Sequence, residues 1–249
     1  MPPYNPSQAI VEISVSELRK IAVLLLERQE DRENPGTVLI GGWAVDAYNP
    51  YFGSQDIDLV TNNTTRKWLI DRLKTGEGYT HQIHYPSDTV KKETPHGEII
   101  LDIIYRETPY PFEGHPEIPF TLDILTGNTV IQNIRGGAII PVPNRSILVL
   151  LKLKAAWDRS YRIHNQRSRD PSWERGKMIK DCADVLALMD PARGGREIDL
   201  EILGGQISRF HFLKEIIQRI PDIDAVRERY QGMTQQDIRR LCEDFISIL

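Results

Sequence analysis

Two cysteines in 249 residues leave no basis for a disulfide framework. Cys182 and Cys242 lie far apart, each within a stretch that reads as helix, and a reducing, cytoplasmic setting is the default expectation. Zinc ligation is missing too: His81 and His84 have no cysteine or carboxylate companions at ligand spacing. No run approaches the roughly 18 apolar residues of a membrane helix. The opening MPPYNPSQAIVE has no basic start followed by an apolar block, so no signal peptide and no membrane partner are expected. A cationic surplus is also absent. With 31 Lys and Arg against 35 Asp and Glu, a net charge of −4 argues against a general nucleic-acid coat protein while leaving room for a local basic patch. Internal repeats and long low-complexity tracts are lacking. What remains is an ordinary globular composition, 40% hydrophobic and 27% charged, long enough for one large domain or two small ones.

The pattern along the chain changes near residue 143. A helix is expected from 14 to about 32, with Ser14 and Glu17 as a capping box and Leu18, Ile21, Ala22 and Leu25 on one face. Asn34-Pro35-Gly36 ends it. Residues 37–40 read as a short apolar strand running into Gly41-Gly42, then a short helix from Trp43 to about Tyr48. Asp56-Ile-Asp-Leu-Val60 reads as a second strand and 65–73 as helix. From about 81 to 142 the pattern is β, clearest at 81–84, 99–105 and 138–142. Beyond Pro143 helices are expected at 144 to about 160, 176–189, 208–219, 223–230 and 234–248, with 161–175 as a polar loop containing Asp170-Pro171. Two domains follow: an α/β part over 1–143 and a helical part over 144–249.

Asp56 and Asp58 stand two apart on a predicted strand, which turns both carboxylates to one face and Ile57 and Leu59 to the other. Asp102 interrupts the apolar run Ile99-Ile-Leu-Asp-Ile-Ile104, a costly place for a lone charge. Unit charges about 4 Å apart repel by roughly 4 kcal/mol at an effective dielectric of 20. Three carboxylates gathered at a sheet edge therefore call for a cation, and oxygen-only ligation suits Mg²⁺ or Mn²⁺. An Asp-x-Asp tripeptide alone carries little information. Asp222-Ile-Asp224 is the same tripeptide, yet it follows Pro221 and opens a helix, where acidic residues merely suit the dipole. Context separates the two. Gly41-Gly42 leaves a strand and enters a helix, an arrangement whose backbone N–H groups bind phosphate and whose missing side chains let it approach.

Taken together, Gly41-Gly42, thirteen intervening residues, Asp56-Ile-Asp58 and a later Asp102 resemble the nucleotidyltransferase superfamily with its polymerase beta-like fold. Within it the chain is most similar to the AbiEii-like toxin group, through Lys152-Leu-Lys-Ala-Ala-Trp-Asp-Arg159 and Lys180-Asp181-Cys-Ala-Asp184. The resemblance spans roughly residues 37–190. It implies a mixed sheet with flanking helices followed by a helical bundle, and transfer of a nucleoside monophosphate from an NTP to an acceptor. Asp56, Asp58 and Asp102 would hold the metal, with Asp102 taking the acceptor's proton. Gly41, Gly42, Ser54, Lys152, Arg159 and Asp184 would bind nucleotide, and Lys152 and Asp181 would join the catalytic set. A tRNA 3′ end or a protein side chain would be the acceptor, in a toxin–antitoxin or defence setting with an antitoxin as partner. One departure is Gly42, where many relatives carry Ser; backbone amides, with Ser54, then serve the phosphate.

Several residues have a plainer reading. Lys152 and Arg159 share one helical face, as do Asp181 and Asp184, which also describes a salt-bridge set inside a bundle. Trp43 fits a core position better than a base-stacking one. Between Arg159 and Lys180, seven Arg and Lys face two Asp and Glu, suited to RNA phosphates or to a solvated loop in equal measure. Two rival functions stay open: a nucleotidyltransferase acting on a small molecule such as an aminoglycoside, and a catalytically silent NTP-binding sensor or partner module.

Overall fold

The computed structural model describes residues 5–31, 33–84 and 87–248, the side chains of Ile83 and His84 excepted. Two compact units emerge. One comprises Pro6–Tyr110 and Phe120–Asn144; the other takes Pro111–Pro119 together with the chain from Arg145 onward.

The first unit is mixed α/β, as expected. Its strands are β1 (Val38–Ile40), β2 (Ile57–Thr61), β3 (Thr80–His84), β4 (Ser87–Thr94) and β5 (Gly97–Tyr105), in the order β1-β2-β5-β4-β3. Only β2 and β5 run parallel; the other neighbours are antiparallel. β6 (Thr129–Ile134) and β7 (Ala138–Pro143) form a separate hairpin. Helices α1 (Gln8–Glu27), α2 (Gly41–Tyr48) and α3 (Asn63–Gly76) complete the unit. Strand alternation sorts the sheet into two faces. Ile57, Leu59, Leu101, Ile103 and Val90 share one face and are wholly buried, with α1 packed on β5 and α3 on β3. Each such side chain contributes about 1.5–3 kcal/mol on burial.

α1 starts earlier than its sequence suggested. Ser7, not Ser14, is the N-cap and accepts from the Ile10 amide. Ser14 lies inside the helix, where its hydroxyl accepts from Trp43 Nε1 at 2.9 Å. Glu17 is the buried partner of Lys20, Lys92 and Tyr79. A Ser-x-x-Glu pair seeking tertiary partners has the same spacing as a capping box, so local sequence could not separate them. α1 ends at Glu27; Arg32, where the sequence reading closed it, lies outside the described residues. The strand read at 56–60 is shifted by one, leaving Asp56 on the bend before β2.

In the second unit the helices are α4 (Arg145–His164), α5 (Pro171–Met189), α6 (Leu200–Arg209), α7 (Lys214–Arg219), α8 (Asp224–Arg229) and α9 (Gln235–Ile248). α4 packs along α5, burying Ile147, Leu150 and Leu153 of one and Val185, Leu186 and Leu188 of the other. The polar loop expected over 161–175 is much shorter. Asp170-Pro171 is a helix start, not a break: Pro171 takes the first helical position, where its missing N–H costs nothing, and Asp170 accepts from the Trp173 amide at 3.0 Å. Thr234 and Asp237 do cap α9. Asp222 and Asp224 are bound to Arg239 and Arg227 at the surface, in keeping with a structural Asp-x-Asp. Both cysteines are free and buried, which pushes their thiols well above the usual range. No described helix is long and apolar enough to cross a membrane.

Candidate active site

One transverse row crosses all five strands of the sheet. Ile40 pairs with Asp58, Asp58 with Asp102, Asp102 with Thr89, and Thr89 with Gln82. Two carboxylates 44 positions apart in the chain become immediate neighbours on parallel strands about 4.8 Å apart. Asp58 and Asp102 are half-buried, on the face opposite the core residues Ile57, Leu59, Leu101 and Ile103. Asp56 lies two residues before Asp58, on the bend that leads into β2. Thr89 Oγ donates to Asp102 Oδ1 at 2.6 Å, since an ionised carboxylate can only accept.

Gly41 stands against this row. It follows β1, opens α2 and adopts φ +73°, a left-handed value that favours glycine. A Cβ built there would lie 1.9 Å from Asp58 Oδ2, so any side chain would displace that carboxylate. Gly42 is buried in the first turn of α2. Ser54 is buried beside Gly53, itself at φ +78°. Trp43 is fully buried, with the Arg135 guanidinium 5.3 Å from its ring centre, and is a core residue.

Carboxylate oxygens such as those of Asp58 and Asp102 are hard donors, the kind that hard divalent cations take. Among the described residues no three His, Cys, Asp or Glu side chains close around one point. The expected gathering of three carboxylates is thus reduced to the pair Asp58 and Asp102, with Asp56 two residues ahead of Asp58.

A second polar cluster sits on the core face. His81 Nε2 lies 2.9 Å from Asp88 Oδ1, and Arg66 and Tyr105 both hold Asp88 Oδ2. His81 thus has the carboxylate companion that its sequence neighbourhood lacked, because β3 and β4 form a hairpin; the side chain of His84 lies outside the described residues. Burial alone would raise the Asp88 carboxyl, but hydrogen bonds from His81, Arg66 and Tyr105 outweigh it and hold it below the usual range.

Within the helical unit, the two motifs meet face to face. Lys152 Nζ lies 3.1 Å from Asp181 Oδ1 and 2.6 Å from Asp184 Oδ2. Arg159 Nε binds the other oxygen of Asp181 at 2.9 Å, which confirms that Lys152 and Arg159 share a face. Lys180, which opens the second motif but had no role assigned to it, joins Asp184 at 2.8 Å. Burial opposes charge on Asp184, yet Lys152 and Lys180 win and keep its carboxyl low. The basic stretch is largely consumed as well: Arg162 binds Glu174 and Glu113, and Arg167 binds Glu113.

No protein-family model matches the chain, and no curated protein does. Among solved structures it is similar to the lincosamide antibiotic adenylyltransferase LnuA in its lincomycin-bound form. That likeness has 18% identity and a TM-score of 0.42, over 75% of this chain and 98% of that one. It is similar also to the antibiotic-resistance factor ANT(2'')-Ia, at 14% identity and a TM-score of 0.45, over 80% of this chain and 94% of the other. Likeness at this level fixes neither reaction nor substrate.

Proposed function

We propose that this protein is a nucleotidyltransferase that moves a nucleoside monophosphate from an NTP to an acceptor, releasing pyrophosphate. The observation that supports it best is the placing of Asp58 and Asp102 side by side, with Gly41 against Asp58 at the start of α2. In this reading Asp58 and Asp102 would hold Mg²⁺ or Mn²⁺, with Asp56, at the entry to β2, as a further carboxylate for the ion. Gly41 and Gly42 offer backbone N–H groups to phosphate at the helix start, and Ser54 adds a hydroxyl. A divalent ion there supplies charge for the transferring phosphoryl group and favours attack by an acceptor oxygen. One P–O bond forms at the α-phosphorus as the bond to the β-phosphate breaks. In the helical unit, Arg159 is the cation assigned to nucleotide phosphate, being more open than Lys152. Asp181 orients it, and Asp184 with Lys180 fixes Lys152.

The acceptor we assign is a macromolecule, a tRNA 3′ end or a protein side chain, in a toxin–antitoxin setting. A second reading, a small-molecule acceptor, is favoured by one observation: Arg159, Arg162, Arg167 and Lys180 are tied up in ion pairs, which removes much of the basic surface an RNA would use. Incubation with each α-³²P NTP, Mg²⁺ or Mn²⁺, and either total tRNA, cell extract or a panel of aminoglycosides separates these readings. Label on RNA or protein supports the first, and label on a small molecule the second. Mg²⁺-dependent NTP binding without transfer would favour a sensor. If neither binding nor transfer differs between the wild type and Asp58→Asn, the proposal fails.

A further inference from the structure

We propose that Thr89 is a positioning residue for Asp102, setting which carboxylate oxygen is turned toward Asp58. The inference rests on the reading of Asp58 and Asp102 as a divalent-ion site. β5 lies between β2 and β4, so Asp102 has Asp58 on one side and Thr89 on the other. The 2.6 Å hydrogen bond draws Oδ1 to the β4 side. A carboxylate is planar and rigid, so holding Oδ1 also fixes the direction of Oδ2, and Asp58 stands on the other side of Asp102.

Thr89 is well held for this task. It is nearly buried, its backbone lies in a ladder with β5 on one side and β3 on the other, and its neighbour Asp88 is locked on the reverse face by His81, Arg66 and Tyr105. A slip of one residue would exchange the two faces and bury Thr89 in place of Asp88. The hydroxyl therefore meets Asp102 in a fixed geometry, as partners of metal-binding groups do when they orient a ligand.

Titration of the full chain with Mn²⁺ alone, followed by loss of the free-ion EPR signal, tests this in wild type, Thr89→Val, Thr89→Ser, Thr89→Ala and Asp58→Asn, with a melting curve for each. Thr89→Val keeps the shape and strand preference and loses only the hydroxyl. The expected result is about tenfold weaker Mn²⁺ binding in Thr89→Val and Thr89→Ala, near-normal binding in Thr89→Ser, and loss in Asp58→Asn. Wild-type affinity in folded Thr89→Val, with binding lost in Asp58→Asn, overturns the role of Thr89 and leaves the proposed function standing. Thr89→Ser as weak as Thr89→Val also overturns it, because the hydroxyl would not be the determinant. Wild type that binds no more Mn²⁺ than Asp58→Asn defeats the ion-site reading itself and this inference with it.

Discussion

On the sheet, Asp58 and Asp102 stand half-buried in a row that contains no basic residue. In the helical unit, Asp181 and Asp184 are buried and meet Lys152, Lys180 and Arg159. Both pairs are carboxylates, one brought together by strand register from 44 positions apart, the other three apart on one helix. They differ in the residues that share their row or helix face. Where the fold brings its own cations, the carboxylates serve as interhelical ties whose removal strands a neighbour. The sheet row brings acids, a hydroxyl and an amide side chain together, and the proposed function has it hold a divalent ion.

The sharpest way to break that contrast is to neutralise each region in turn. Asp58→Asn and Asp102→Asn should lower nucleotidyl transfer by roughly 10³-fold, the several kcal/mol that a metal's charge lends such a reaction, while the melting temperature shifts little. Transfer at wild-type rates in either variant would remove the sheet row from the reaction. Asp184→Ala should do the opposite. It leaves Lys152 and Lys180 buried without that partner and should cost about 3–5 kcal/mol in urea unfolding. Replacing Lys152, Lys180 and Asp184 together by Met, Met and Leu should restore most of the loss, if the network is a tie and no more.

Smaller effects sharpen the comparison. Gly41→Ala forces a side chain into a left-handed backbone and onto Asp58, and should cost about 1–3 kcal/mol in stability along with transfer. Ser14→Ala removes the acceptor of the buried Trp43 N–H and should cost about 1–3 kcal/mol, with transfer unchanged at temperatures where the protein stays folded. The mildest effect is one of pH. Because the Asp88 carboxyl is lower in the folded chain than unfolded, its stabilisation is fully present above the ordinary carboxyl range, about pH 4, and fades as pH falls through the folded value. Asp88→Asn should therefore melt earlier than wild type at pH 7, and the gap should narrow below about pH 4. A gap that stays constant across that range would count against the hydrogen-bonded cluster.

Much of the fold was legible in local pattern. Alternation in Ile57-Asp58-Leu59 announced a strand with one acidic and one apolar face, and Thr234 with Asp237 announced the start of α9. The misreadings share one cause. Ser14 and Glu17 have capping-box spacing yet serve Trp43 and Tyr79, and Asp170-Pro171 reads as a breaker yet starts a helix. β4 and β6 were not singled out as strands, since Ser87–Thr94 and Thr129–Ile134 mix polar and apolar residues without a clean period.

By itself the sequence determined the residue types that any chemistry here must use: Asp56 and Asp58 at the entry to one strand, Asp102 within another, and glycines where a strand turns into a helix. Those are local matters of spacing, alternation and backbone freedom. Only the tertiary structure decided which of them meet. Register between β2 and β5 set Asp58 beside Asp102, register between β4 and β5 put Thr89 on Asp102, and the packing of α4 on α5 enclosed Lys152 between Asp181 and Asp184. Strand order and helix packing are chosen by the burial of apolar faces across the whole chain, and no short stretch of sequence contains that choice.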